Sequence, residues 1–223
     1  MQTAKKYLTV LIIVSFFIPL ALADAEKEIA VVIKVKGAAV IKSGESKWRP
    51  LTKGQRLDSD DLIKTGKDAL VAIVFTDDKS MLKIRSNSQF QLKGERTEKG
   101  IAKKLLLMMG QVWSKITPNG AGYEMITPSG VAAVRGTEFY SIVEALKTTI
   151  IGISGSVEIR NAMGSALVGA NKTGVMEKGK APVVSNTKGF EGWAETDDVS
   201  QSLDIEFEND DGVKKKMKIR YQE

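Results

Sequence analysis

The chain has no cysteine and no histidine. Without cysteine there is no disulfide framework, so stability must come from burial and strand pairing. Without histidine no His-dependent triad can form, nor a zinc site of the usual nitrogen and sulfur kind. Aromatic residues are scarce at 6%, and the tryptophans are Trp48, Trp113 and Trp193. No GxGxxG, P-loop or GxSxG signature occurs, and Gly152-Ile153-Ser154-Gly155 falls one residue short of the last. Carboxylates are plentiful, but nothing in their spacing sets two of them across a cleft. Asp58-Ser59-Asp60-Asp61 offers oxygen ligands yet lacks the glycine and distal glutamate of a calcium loop, so it reads as a turn. The chain is therefore expected to be no enzyme and to hold neither cofactor nor metal.

What is present begins with a leader. Lys5 and Lys6 precede an uncharged apolar run over 7–22, and Ala21-Leu22-Ala23 ends it with small residues at a cleavage spacing. This is the order of a secretory signal peptide, so residues 1–23 are expected to be removed and the mature chain to begin at Asp24. The run is shorter than the ~20 residues that cross a bilayer, and no later segment is apolar enough to span. No cysteine follows it to carry a lipid. Cleavage lowers the formal net charge from +6 to +4. The basic residues are scattered among acids, so nucleic acid is not an expected partner. A periplasmic or secreted location follows.

With 43% hydrophobic residues the chain can build a core. Helical periodicity is nearly absent. Short Val- and Ile-rich segments recur instead, bounded by Gly, Asn, Asp and Thr-Pro. In 71–75 Val71, Ile73 and Phe75 share one face, and in 81–84 Leu82 and Ile84 share one. Strands this short and frequent specify an all-β fold, a solenoid-like or rolled sheet of many short strands over 24–180. Gly37, Gly110 and Gly155 each begin a strand that has Val within three residues, at spacings too uneven for a strict repeat. Residues 181–202 read as a linker, with Phe190 and Trp193 packing back on the core.

Residues 203–223 predict a β-hairpin around Asp210-Asp211-Gly212. Leu203, Ile205 and Phe207 alternate with acids, and Met217, Ile219 and Tyr221 alternate with Lys and Arg. One register sets Glu208, Glu206 and Asp204 opposite Lys214, Lys216 and Lys218, and Ile205 and Leu203 opposite Met217 and Ile219. A slip of one residue would put acids against the apolar column. The column needs a cover: the parent domain, a second copy or a partner.

The segment 35–180 resembles the FecR-domain family. The residues that carry the resemblance are Leu51-x-x-Gly54-x-x-Leu57, Asp61-x-Ile63-x-Thr65-Gly66, Asp78-x-Ser80-x-Leu82-x-Ile84, Gly110-x-Val112, Thr127-Pro128-Ser129-Gly130 and above all Val134-Arg135-Gly136-Thr137-Glu138-Phe139. Lys79 stands where members of the family often carry glycine. The resemblance implies a periplasmic, solenoid-like β domain. The family's namesake relays a signal from an outer-membrane transporter to a cytoplasmic sigma factor, and it carries an anti-sigma region ahead of a membrane span. Only six residues precede the apolar run here, so the expected role is the outer, sensing half, as in stand-alone exported members.

The expected function is a non-enzymatic binding module of the bacterial cell envelope, recognising a protein or an envelope glycan. The alternative is a structural scaffold that self-associates through β edges or the hairpin. Candidate binding residues are Arg135, Thr137, Glu138 and Trp48. Arg135 offers a planar fork of donors to an anionic group. The competing expectation is that it bonds an internal acid at a bend that Gly136 permits. Trp48, between Lys47 and Arg49, is the tryptophan best placed for exposure, although burial is the commoner fate of the residue type. Trp113 reads as core. The two Thr-Pro segments, 117–120 and 127–130, read as turns.

Overall fold

A computed structural model describes residues 28–118 and 120–194, and the backbone of Leu203–Glu208 and Lys214–Ile219. The leader, the hairpin loop 210–212 and Tyr221 lie outside the described residues. Among the described residues there is no helix, and the fold is all-β.

Seventeen strands form one hydrogen-bonded network, which register divides into two tracts. In spatial order, the first holds β4 (Arg56–Asp58), β1 (Glu28–Lys36), β6 (Leu70–Phe75), β7 (Met81–Ile84), β9 (Gly100–Lys115), β12 (Glu138–Glu144), β13 (Lys147–Ser154), β16 (Lys172–Glu177) and β17 (Val183–Asn186). The second holds β3 (Arg49–Pro50), β2 (Ala39–Lys42), β5 (Leu62–Thr65), β8 (Gln89–Thr97), β9 again, β10 (Tyr123–Thr127), β11 (Gly130–Val134), β14 (Ser156–Asn161) and β15 (Gly164–Gly169). All these pairings are antiparallel except β9 with β10. Strand β9 belongs to both tracts: Gln89 pairs with Met109 in the second and Ile84 with Val112 in the first.

The two tracts face each other across one core. Val71, Ile73, Phe75, Leu82 and Ile84 from the first join Ile41, Ile63, Phe90, Leu92, Leu105 and Leu107 from the second in a single cluster. These are the alternate positions that the sequence pattern places on one face, because side chains in a strand repeat with period two. Strand β6 is buried at all six positions, so the first tract is covered on its outer side as well.

The chain passes from tract to tract at tight corners, and the corners bond to one another. On one side the corner at 85–88 stacks between two others. Thr65 N donates to Ser88 O at 3.0 Å and Asn87 N to Gly66 O at 3.1 Å, while Gln111 N donates to Ser88 Oγ at 3.2 Å. Gly37, Gly110, Gly136 and Gly155 all take positive φ at such points. The three glycines that the sequence marks as strand starts, 37, 110 and 155, are thus where the backbone turns between tracts. Gly110 does so inside a strand. The sequence places separate strands on its two sides, but φ of +114° bends β9 without ending its pairing.

The stretch 181–202 departs from expectation in part, since Val183–Asn186 pairs with β16 as a full strand. Its four residues are exposed, so no alternation marks it. Trp193 and Phe190 do pack back, at 5.4 Å and 4.9 Å from the Tyr140 ring. Further on, β18 (Leu203–Glu208) and β19 (Lys214–Ile219) pair antiparallel. Leu203 lies opposite Ile219, Ile205 opposite Met217 and Glu206 opposite Lys216, which is the register derived from the sequence.

Two substitutions test this construction. A Cβ on Gly110 would lie 2.1 Å from Ser88 Oγ, so Gly110→Ala combines overpacking with strain at positive φ. It should cost about 2–5 kcal/mol in a denaturant melt. Lys79 has φ of +61°, the conformation that glycine would take without strain. Lys79→Gly should therefore raise Tm, by roughly 2–4 °C if about 1 kcal/mol of strain is relieved.

Candidate functional site

The Arg-Gly-Thr-Glu segment forms the bend between β11 and β12. Gly136 takes φ of +63°, and a Cβ there would lie 2.8 Å from the Pro118 side chain. Thr137 is buried. Its Oγ donates to Ser156 O at 2.9 Å, and its backbone exchanges hydrogen bonds with Ile116 at 2.9 and 3.1 Å. Thr137 thereby ties three consecutive corners, 116–118, 135–137 and 154–156, into a stack. Glu138 begins β12, and its Oε1 accepts from Trp113 Nε1 at 3.1 Å. Arg135 differs. It is exposed, and its Nε donates to Pro118 O at 3.5 Å. The ion pair with an internal acid is a correction to the sequence reading, because the bend turns the guanidinium outward. Of the three residues, Thr137 and Glu138 are bonded into the fold, and Arg135 is exposed.

Trp48 is 40% exposed, and Lys64 Nζ sits 4.5 Å from its ring centroid. Lys64 alternates with the inward Ile63 and Thr65, so this pair lies on the outer face of the second tract. Trp113 is buried, but outside the main core. It clusters with Tyr140, Ile151 and Trp193 on the outer face of the first tract. The four sequence candidates therefore do not converge: Trp48 stands on one outer face, Glu138 opens a strand of the other tract, and Arg135 and Thr137 occupy a corner between tracts. The second Thr-Pro segment is the turn joining β10 to β11, closed by Thr127 Oγ donating to Gly130 O at 2.9 Å. Asp61 folds back likewise, accepting Asp58 N at 2.9 Å.

Sequence reasoning missed two features. Lys103 points into the core row between Ile101 and Leu105, with its side chain 1% exposed. Its Nζ lies 2.8 Å from both Asp77 Oδ2 and Asp78 Oδ2 and 3.0 Å from Ile101 O, so its three donors are met. Asp77 also accepts Ile101 N at 2.7 Å. Beside it, Glu28, Arg56, Thr76, Asp77 and Arg96 line an open hollow of about 300 Å³, charged with both signs.

The second feature is a row across the outer face of the second tract. Register runs unbroken from Leu62 to Gln91, Leu106, Ile126, Val131 and Arg160, over six strands. Its members are half-buried, and Met108, two residues from Leu106 on β9, is 50% exposed. Arg160 and Glu124 pair at 2.8 Å beside the row. In sequence each member is a single outward residue of its own strand, so the row exists only once register is fixed.

Residues 61–158 match the family model described as FecR protein. Over that span the chain is similar to FecR domains. The match begins at Asp61 and ends at Glu158 within β14, so it takes in the shared strand, the Thr137 corner and most of the outer row. Two crystal structures of a candidate anti-sigma factor from Parabacteroides distasonis are similar at 12% identity, with a TM-score of 0.49. The alignment covers 56% of this chain and 59% of theirs, so this chain spans less than two thirds of their length. Comparison with curated proteins gives no match.

Three variants separate structural from exposed residues in this domain. Thr137→Val strands the Ser156 carbonyl and should cost about 1–3 kcal/mol. Lys103→Met leaves two carboxylates against the core and should cost about 3–5 kcal/mol. Arg135→Ala should stay within roughly 0.5 kcal/mol of the parent, because an exposed side chain with one long bond holds little. Denaturant midpoints measured side by side check all three.

Proposed function

We propose that this domain is an exported, non-catalytic recognition module of the cell envelope, periplasmic or secreted. Its partner surface is the outer face of the second tract. One observation carries the reading. The outer face of the first tract is buried along β12, β9, β7, β6 and β1, in part under residues 190–194, whereas the outer face of the second presents Leu106, Ile126 and Val131 half-exposed beside Met108 and Trp48. A flat apolar row with a polar rim, here Gln91 and Lys104 with the Arg160–Glu124 pair, has the composition of a protein interface. This favours a protein over a glycan. Similarity to the FecR family supports a place in envelope signalling, and the leader pattern of residues 1–23 supports export. The bonded corners support a solenoid-like winding, in which such a face is long and rigid.

A second reading draws on the tract edges. Edge strands β15 and β17 expose Leu167, Val183 and Val184, which suits end-to-end self-association through unpaired backbone.

The experiment is a pull-down of the exported protein from envelope extract, run beside Met108→Glu with Ile126→Arg. The parent should retain a partner that the double variant loses at unchanged Tm. Equal recovery by both overturns the assignment of the face. Recovery only of insoluble cell-wall polymer replaces the protein partner with a glycan. Light scattering on the parent tests self-association, which predicts masses that rise with concentration and fall with Val184→Lys.

A further inference from the structure

The outer face of β1 and β6 is apolar and has a cover. Val31 and Ile33 alternate with the inward Val32, and Ala72 and Val74 alternate with Val71 and Ile73. The four are 0–5% exposed and form a cluster of their own, with Met81 at its margin. All five come from the tract itself. The outer face of a sheet reaches such burial only beneath another layer.

The path of the chain leads to this place. Residues 190–194 cross the same outer face. Phe190 and Trp193 pack edge-on against Tyr140 of β12, and Ala194 N donates to the Tyr140 hydroxyl at 3.3 Å. Trp193 lies 5.4 Å from the Arg85 guanidinium, and Lys83 Nζ of β7 donates to Ala194 O at 2.6 Å. The strap thus travels from β12 across β9 to β7, and the next strands in that direction are β6 and β1. Eight residues separate Ala194 from Leu203. They can span up to ~26 Å, whereas β1 lies only two strand spacings, ~10 Å, beyond β7.

The hairpin brings a matching face. Its register aligns Leu203 with Ile219 and Ile205 with Met217 in one apolar column. A two-stranded hairpin is marginal in water unless that column is covered. Charge agrees as well. The connecting residues include Glu195, Asp197 and Asp198 and no base, while Lys34, Lys36 and Lys83 stand on β1 and β7 around the patch.

We propose that the C-terminal hairpin docks by its Leu203, Ile205, Met217 and Ile219 column on the outer face of β1 and β6 of the same chain. The first tract then becomes the middle layer of three, and the second keeps the free outer face. This inference does not depend on the proposed function.

The absence of native cysteine gives a direct test. Ala72→Cys places a lone thiol under the hairpin, and Met108→Cys places one on the opposite outer face as a control. In the exported protein, maleimide should label Ala72→Cys at least roughly tenfold more slowly than Met108→Cys, as expected of a site reached only by local opening. Adding Ile205→Asp and Met217→Asp should bring the Ala72→Cys rate up towards the control and leave the Met108→Cys rate unchanged. Where the double substitution does not fold, Met217→Ser should raise the Ala72→Cys rate in the same direction. A reactive Ala72→Cys in the parent overturns the proposal. So does protection that survives the hairpin substitutions, which would assign the cover to another segment. Protection that fades on dilution assigns it to a second copy and also overturns it.

Discussion

The bend of β9 over Ser88 is the constraint from which the architecture follows. A strand that keeps its pairing while it changes tract needs a residue without a side chain at the turning point. The space above Ser88 enforces this, since a Cβ on Gly110 would lie within 2.5 Å of three Ser88 atoms. Ser88 fills that space with a hydroxyl that donates to Arg85 O at 2.8 Å and accepts Gln111 N at 3.2 Å. Hydrogen bonds thus close the corner on both sides. The two tracts face each other because this one strand ties them at a fixed angle.

The polar groups inside follow the same logic. Lys103 occupies a core position that pattern alone would give to an apolar residue. It bonds both carboxylates of the turn between β6 and β7 and so fixes that turn against β9. The adjoining turn residues engage the next corner, with Thr117 N donating to Ser80 Oγ at 3.0 Å and Thr117 Oγ to Asp78 O at 2.9 Å. Thr137 continues the series. Lys103 and a few hydroxyls thereby tie these turns together, while the aliphatic core supplies the bulk of the burial free energy.

Local pattern was enough to reveal the inward faces of β6 and β7, the hairpin register and the packing of Phe190 and Trp193, because each depends on alternation within a few residues. The glycines at 37, 110 and 155 were visible as punctuation. Their role as passages between tracts was not, since it depends on strands far apart in sequence. The expected ion pair of Arg135 with an internal acid fails for a related reason: whether a guanidinium at a bend turns in or out is decided by the neighbouring corner, here Pro118. The exposed strand β17 was invisible because it has no buried face to alternate with. The outer row was hidden because each of its residues is unremarkable within its own strand. The FecR resemblance marked the bend at 135–137, where Thr137 bonds to two neighbouring corners, while the outer row carries little motif of its own.

The sharing of β9 also bears on how the chain acquires its structure. Its partners β7, β8, β10 and β12 reach from Met81 to Glu144, so neither tract can be completed before the other has begun. The parallel pairing of β9 with β10 needs a crossover rather than a hairpin and cannot form first. Contacts of this kind hold the ends of long loops together, which makes folding slow and strongly cooperative. A chain that stopped before β12 would still pair β9 with β7 and β8, but the stretch 110–115 would keep an open edge where β12 belongs.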